Sequence, residues 1–336
     1  MLRKVQITAT WRDGEREEQA SVAIAVVQPP LVFVHGVWSN PKAWEDAIEP
    51  HQQRFAALGY NLWAYFDYAA SNSEDPAVIA RGLLGSPSLS QVVDSLLTRS
   101  AQRGTLAGRV DLVGHSMGGL VSRRYLADGG WARVRKLVTV ATPHEGSPFA
   151  AWFAYFARAK QPGTPPGSMT VPPEVQANPK WRAGNTAWTN EAFTWLVRTV
   201  RSQLKLDASF FRDGPAVDAL MPRSAFLQAL NAADPHDQDV RYYFLYGSEP
   251  LQRADQTFWA NAGIDATAWK ANEVMFDTFF DHISAGGTDG VVPFASAKGA
   301  GLNIRLARPP IPVQANHVSI TGAAIDRLLE CLGRRP

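Results

Sequence analysis

Apolar and polar positions along the chain change their period every ten to twenty residues, and each change marks a new element. In "KVQITATWRDGEREEQASVAIAVVQ" apolar residues alternate over 4–11 and 20–27, the period of two strands, and the polar stretch around Asp13-Gly14 reads as the loop between them. "LVFV", between Pro29-Pro30 and Gly36, does not alternate; four consecutive apolar residues flanked by turn signals describe a strand buried on both faces. A helix over 43–58 closes at Gly59, "YNLWAYFDY" is the next strand, and Asn72 to Pro87 reads as a polar, glycine-containing loop. "SLSQVVDSLLTRSAQR" has the 3.6-residue period of an amphipathic helix. Then come a strand "RVDLVG", a helix "SMGGLVSRRYLADGG" closed by Gly129-Gly130, and a buried strand "VRKLVTVATP". Strands alternating with helices at this spacing predict an α/β fold with a mostly parallel, doubly wound sheet.

The alternation breaks over 147–239, which is rich in Trp, Phe and Pro and includes "QPGTPPGSMTVPPEVQANPKWRAG". That stretch is too long and too aromatic for a plain connection and reads as a helical cap, or lid, inserted at the ligand-binding edge. "VRYYFLYG" resumes the sheet at 240–247, and a second insertion at 250–285 carries Phe258, Trp259, Trp269 and "MFDTFF". "GGTDGVVPFASAKG", a strand near "NIRLA", and "NHVSI" before a final helix complete the chain. The expected units are therefore a β-hairpin over 1–28, a first half of the core over 29–146, the cap over 147–239 and a second half over 240–336.

Composition narrows the chemistry. The 336 residues suffice for one large α/β domain, and 33 Lys+Arg against 31 Asp+Glu, with no long basic run, argue against nucleic acid as a partner. A single cysteine, Cys331 in "RLLECL", excludes an internal disulfide framework and a Cys-rich metal site. No metal and no cofactor are expected. No apolar run is long enough to span a bilayer, and the first residues lack a basic segment followed by an apolar one. An isolated two-stranded hairpin is barely stable in water, so 1–28 is expected to pack on the core or on a further domain. Its pattern is similar to the last two strands of an immunoglobulin-like module, which implies part of a longer, secreted or cell-surface protein.

Candidate chemistry centres on Gly114-His115-Ser116-Met117-Gly118, a GxSxG string between the strand "VDLV" and a helix. The bare string is common; its place at a strand-turn-helix bend is what thrusts the serine hydroxyl out at the sheet edge as a nucleophile. A serine needs a base. Of seven histidines, His35 and His115 lie inside motifs and read as structural, His51 and His236 as surface residues, and His282 precedes the favoured acid. His317, between the last strand and the last helix, fits the order Ser, Asp/Glu, His. His144 in "ATPHEGSP" is placed at the pocket wall as a candidate substrate-binding residue. The orienting carboxylate is Asp289 in "GGTDGVVP", with Glu249 in "YGSEP" as the alternative and an ordinary turn aspartate as the bland reading of Asp289. Oxyanion donors are expected from the backbone N–H groups of Met117 and Val37, with Gly36 letting the backbone turn inward and Trp38 walling the acyl pocket.

Taken in order, "FVHGVWSNPKAW", "VDLVGHSMGGLVSRRYL", "LVTVATPHEGSP", "RYYFLYG", "TDGVVPFASA" and "NHVSI" resemble the α/β-hydrolase superfamily, in particular bacterial triacylglycerol lipases and lipase-like serine esterases. The resemblance covers most of 30–148 and 240–325. It implies a Ser116, Asp289, His317 triad and a serine carboxylic ester hydrolase acting on lipid-like or otherwise apolar esters through an acyl-enzyme, in contact with lipid aggregates. The nearest rival that it admits is an acyltransferase or lipid deacylase with the same triad, and a more distant one is a non-catalytic binding module on the same fold. Many such lipases hold a calcium ion through an aspartate two residues after the histidine; here that place is Ser319, a weak substitute for a carboxylate.

Overall fold

The computed structural model describes residues 3–83, 85–150, 214–249 and 287–333. The central part of the expected cap and the whole of the second insertion at 250–285 lie outside these described residues. At the centre is a six-stranded sheet in the order β4-β3-β5-β6-β7-β8, parallel throughout. Its strands are β3 (Leu31–Val34), β4 (Trp63–Phe66), β5 (Val110–His115), β6 (Val134–Val140), β7 (Arg241–Gly247) and β8 (Ile311–Val313). The apolar runs of β3 and β5 are buried along their whole length because helices cover both faces. On one side Val32, Val34 and Leu112 pack with α3 (Pro76–Arg81), α4 (Leu89–Gln102) and α5 (Met117–Ala127). On the other, Leu31, Phe33, Val113 and Val138 pack with α1 (Lys42–Ile48), α2 (Gln52–Ala57) and the final helix Ile325–Gly333.

Several elements differ from the sequence expectation, each for a local reason. The helix expected over 43–58 is broken into α1, a 3₁₀ turn Glu49–His51 and α2, because Pro50 cannot donate to the helical ladder. The supposed loop 72–87 contains α3, whose Asp75 side chain accepts from the Ala77 N–H while Pro76 occupies the first turn. "NIRLA" contributes only an isolated bridge, Leu306 to Tyr242, and the sixth strand is β8. β8 contains Pro312, which a sheet tolerates at an edge, where the missing N–H leaves no ladder bond unmade.

The N-terminal hairpin consists of β1 (Arg3–Asp13) and β2 (Arg16–Val26) in antiparallel register. Its strands run further than the alternation indicates, up to a two-residue turn with Gly14 at φ 60°, because the polar residues near the tip pair across it: Arg12 faces Glu17 at 2.8 Å. One face carries Val5, Ile7, Trp11, Val22 and Ile24, all exposed, so the expected packing on the core is not made by the described residues.

At the end of the sheet away from Ser116, charge is buried. Asp111 is fully enclosed, accepts from the Tyr60 hydroxyl at 2.6 Å and pairs with Arg135. Lys136, also fully buried, donates to the carbonyls of Leu332 at 2.7 Å and Cys331 at 3.1 Å, so its ammonium caps the C-terminal end of the final helix. Burial lowers the Lys136 amine to about 8. Between pH 8 and 10.5 the unfolded chain therefore holds a proton at this lysine that the folded one has released, and stability rises with pH in that window. Urea denaturation of the wild type and Lys136→Met at pH 7 and pH 9.5 is expected to shift their stability difference toward the wild type by about 1–2 kcal/mol at the higher pH; an unchanged difference would mean Lys136 does not titrate there.

Candidate active site

β3 sends the chain to one side of itself, into β4, while β5 lies on its other side; the crevice between the ends of β3 and β5 is the switch point of the sheet. Val34 stands opposite Gly114 in the register, so the residues that follow, His35-Gly36 on one strand and His115-Ser116 on the other, emerge side by side. Ser116 has φ 52° and ψ −126°, a backbone conformation that costs a non-glycine residue about 1–3 kcal/mol. It is held by the Ser116 N–H to the Val140 carbonyl at 2.9 Å and by the Gly119 N–H to the Ser116 carbonyl at 3.0 Å. α5 begins at the next residue, aiming its N-terminal dipole at the hydroxyl. The bend leaves no room for larger flanking residues: a Cβ on Gly118 would lie 2.4 Å from the Val34 carbonyl oxygen, and one on Gly36 would lie 3.0 Å from the Ser116 Cβ.

His317 follows β8. Its Nε2 lies 2.9 Å from the Ser116 Oγ and its Nδ1 2.9 Å from the Asp289 Oδ2. Two backbone contacts fix the histidine: its N–H donates to the Asp289 carbonyl at 2.9 Å, and its carbonyl accepts from the His115 Nε2–H at 3.1 Å. Burial and the neighbouring His317 lower His115 to about 3, so this donor stays neutral. Asp289 is nearly fully buried. Its Oδ1 accepts from the N–H groups of Val291 and Val292 at 3.0 and 2.7 Å, closing a turn, while its Oδ2 faces the imidazole. The turn aspartate and the partner of His317 are thus one residue, using one oxygen for each purpose. Glu249 is exposed at the end of β7, and among the described residues its side chain meets no histidine.

The loop after β3 forms the other wall. The His35 Nδ1–H donates to the Gly36 carbonyl at 2.9 Å, and its ring stacks on Tyr68 at 3.9 Å. Burial lowers the His35 imidazole, which stays neutral. Trp38 has φ 53°, and its N–H donates to the Asn72 Oδ1 at 2.9 Å. Neither the Val37 nor the Met117 N–H meets an acceptor among the described residues; Val37 lines the crevice, and Met117 directly follows Ser116 as the first residue of α5.

A cavity of about 370 Å³ opens at Ser116 and His317. Val37, Trp38, Phe149, Val217, Leu220 and Val318 form much of its wall, and His115 and His317 are the ionisable side chains on it among the described residues. His144, expected on this wall, sits behind it instead. Its ring is fully enclosed, stacked on Phe244 at 4.0 Å, and contacts Arg123 at 3.3 Å and Thr139 at 3.0 Å; Pro143 takes the place on the cavity. Burial first, and the Arg123 charge second, depress its basicity strongly. Ser319 donates its hydroxyl to the Asn316 Oδ1 at 3.0 Å, a contact that shapes the His317 loop. Phe149, Val217 and Leu220 come from the two flanks of the long insertion, and Asn72 from the stretch after β4; none carries a local pattern that marks it as part of the site.

Two solved structures are similar along nearly the whole chain. The mature form of the lipase BlEst2 from Bacillus licheniformis is 17% identical over 97% of this chain and 98% of its own, with a TM-score of 0.51. The propeptide form of the same lipase is 19% identical over 92% of this chain and 51% of its own, also at 0.51, so this chain spans about half of that longer form. At such identities the likeness is one of fold, and the fold is that of the α/β-hydrolases. Residues 1–312 match the model of a family described as a domain of unknown function, DUF7379. The chain belongs to the DUF7379 family, built on the α/β-hydrolase fold.

Proposed function

We propose that this protein is a serine carboxylic ester hydrolase for esters with an apolar acyl group. The observation that carries the reading is the Ser116–His317–Asp289 chain of hydrogen bonds, opening on a cavity with an apolar wall. Asp289, accepting from the His317 Nδ1–H, leaves Nε2 unprotonated toward Ser116. The Ser116 Oγ attacks the ester carbonyl carbon as His317 Nε2 takes its proton, and the carbonyl oxygen gains the negative charge. The N–H groups of Val37 and Met117 are assigned to that oxyanion. Collapse of the tetrahedral intermediate expels the alcohol, which receives the proton from His317; water then repeats the sequence and frees the acid.

The apolar wall supports an uncharged, hydrocarbon-like acyl chain, with Trp38 assigned to the substrate pocket. The flanks of the insertion contribute Phe149, Val217 and Leu220 to that wall, which supports reading 147–239 as a cap over the site. An apolar cavity under such a cap fits a lipid-like ester presented by an aggregate.

Turnover of p-nitrophenyl esters from two to sixteen carbons, with Ser116→Ala as the blank, is the direct test. Ser116-dependent rates rising with chain length are expected; turnover that survives Ser116→Ala would end the proposal. Asp289→Asn is expected to lower kcat by about 10⁴-fold, while Glu249→Gln leaves it within a few-fold. The reverse order would transfer the acid role to Glu249.

A further inference from the structure

The donor assigned to Val37 belongs to a loop with no regular secondary structure, and what aims it is visible in the two peptide units on either side of Val37. The unit Gly36–Val37 carries that N–H; its carbonyl is held from the opposite side by the His35 Nδ1–H. The next unit, Val37–Trp38, is held by its N–H, which donates to the Asn72 Oδ1 at 2.9 Å. The Asn72 Nδ2 then donates to the Ser39 carbonyl at 2.6 Å. The first partner only donates and the second only accepts, so the amide orientation is determined by the backbone it grips. Between the two contacts lies Trp38 at φ 53°, a backbone region that residues carrying a Cβ avoid unless neighbouring contacts hold them there. Asn72 is 5% exposed and comes from the stretch after β4, just past the 3₁₀ turn Ala69–Ser71, so it holds the loop from outside.

We infer that Asn72 is a positioning residue: its side-chain amide locks Trp38 in the left-handed conformation and thereby aims the Val37 N–H at the oxyanion. The inference rests on the hydrolase reading for its consequence, but its geometry concerns only the loop and Ser116. An aspartate at this place accepts from Trp38 but, when ionised, presents a second acceptor to the Ser39 carbonyl; protonated, it reproduces both contacts of the amide.

The test uses the full chain and two readouts, kcat and KM for p-nitrophenyl butyrate and the second-order rate of Ser116 labelling by a fluorophosphonate, for the wild type, Asn72→Ala and Asn72→Asp, with melting temperatures measured alongside. For Asn72→Ala, kcat is expected to fall about 10²-fold, the size of losing one oxyanion donor, with KM within threefold and labelling slowed in parallel. For Asn72→Asp the rate relative to the wild type is expected to rise as pH is lowered from 9 to 6, a signature that simple destabilisation does not produce. Rates near the wild type in Asn72→Ala, or a loss confined to KM, overturns the inference. If the wild type labels at Ser116 yet cleaves no ester, the hydrolase reading fails, and the ratio of labelling rates alone decides for or against Asn72.

Discussion

Everything in the crevice depends on how closely two backbone bends approach one another. β3 and β5 are hydrogen-bonded neighbours, and the bends that follow them are pressed together so that a Cβ on Gly36 would lie 3.0 Å from the Ser116 Cβ. At Gly118 the contact is with the backbone of β3 itself. Such contacts cannot be relieved by turning a side chain, because the obstructing atoms are carbonyl groups of a central strand. The sheet therefore sets the separation between Ser116 and the loop after β3, and on each of the two bends one non-glycine residue, Ser116 or Trp38, has a positive φ.

A second economy lies in the use of single groups for two tasks. Asp289 closes its own turn with one carboxylate oxygen and meets His317 with the other. His115 packs inside the bend at Ser116 and supplies the donor that holds the backbone of His317. Its neutrality, enforced by burial, keeps a second positive charge away from His317. At the other end of the sheet Lys136 lies within the core and also ends the last helix, so both ends of the sheet are tied to the C-terminal segment by buried polar contacts.

What the sequence made legible follows from how local each signal is. The runs "LVFV" and "VDLV" identify buried strands because no polar residue interrupts them, and the bend at Ser116 is marked by the glycines it needs. The order of Ser116, Asp289 and His317 along the chain anticipates their meeting in space. α3 went unseen because its cap, Asp75-Pro76, sits in a polar stretch that also reads as a loop, and β8 because a proline inside a three-residue strand reads as a break. His144 occupies a motif at a strand end, yet Arg123 and Phe244, remote in sequence, enclose it; burial of that kind leaves no mark near the residue itself. Asn72 is the same case: its partners lie thirty-odd positions away, in a loop whose own sequence does not name them.

The hydrogen-bond partners of Ser116 enter late. Ser116 and its bend are complete within the first half of the chain, held by β3, β5 and β6, whereas Asp289 and His317 arrive on the segments flanking β8, the last strand laid on the edge of the sheet. During synthesis from the N-terminus the hydroxyl is therefore in place long before the imidazole that hydrogen-bonds to it. The order of strands along the chain thus separates, in time of synthesis, the serine from the imidazole and carboxylate that it meets in the finished sheet.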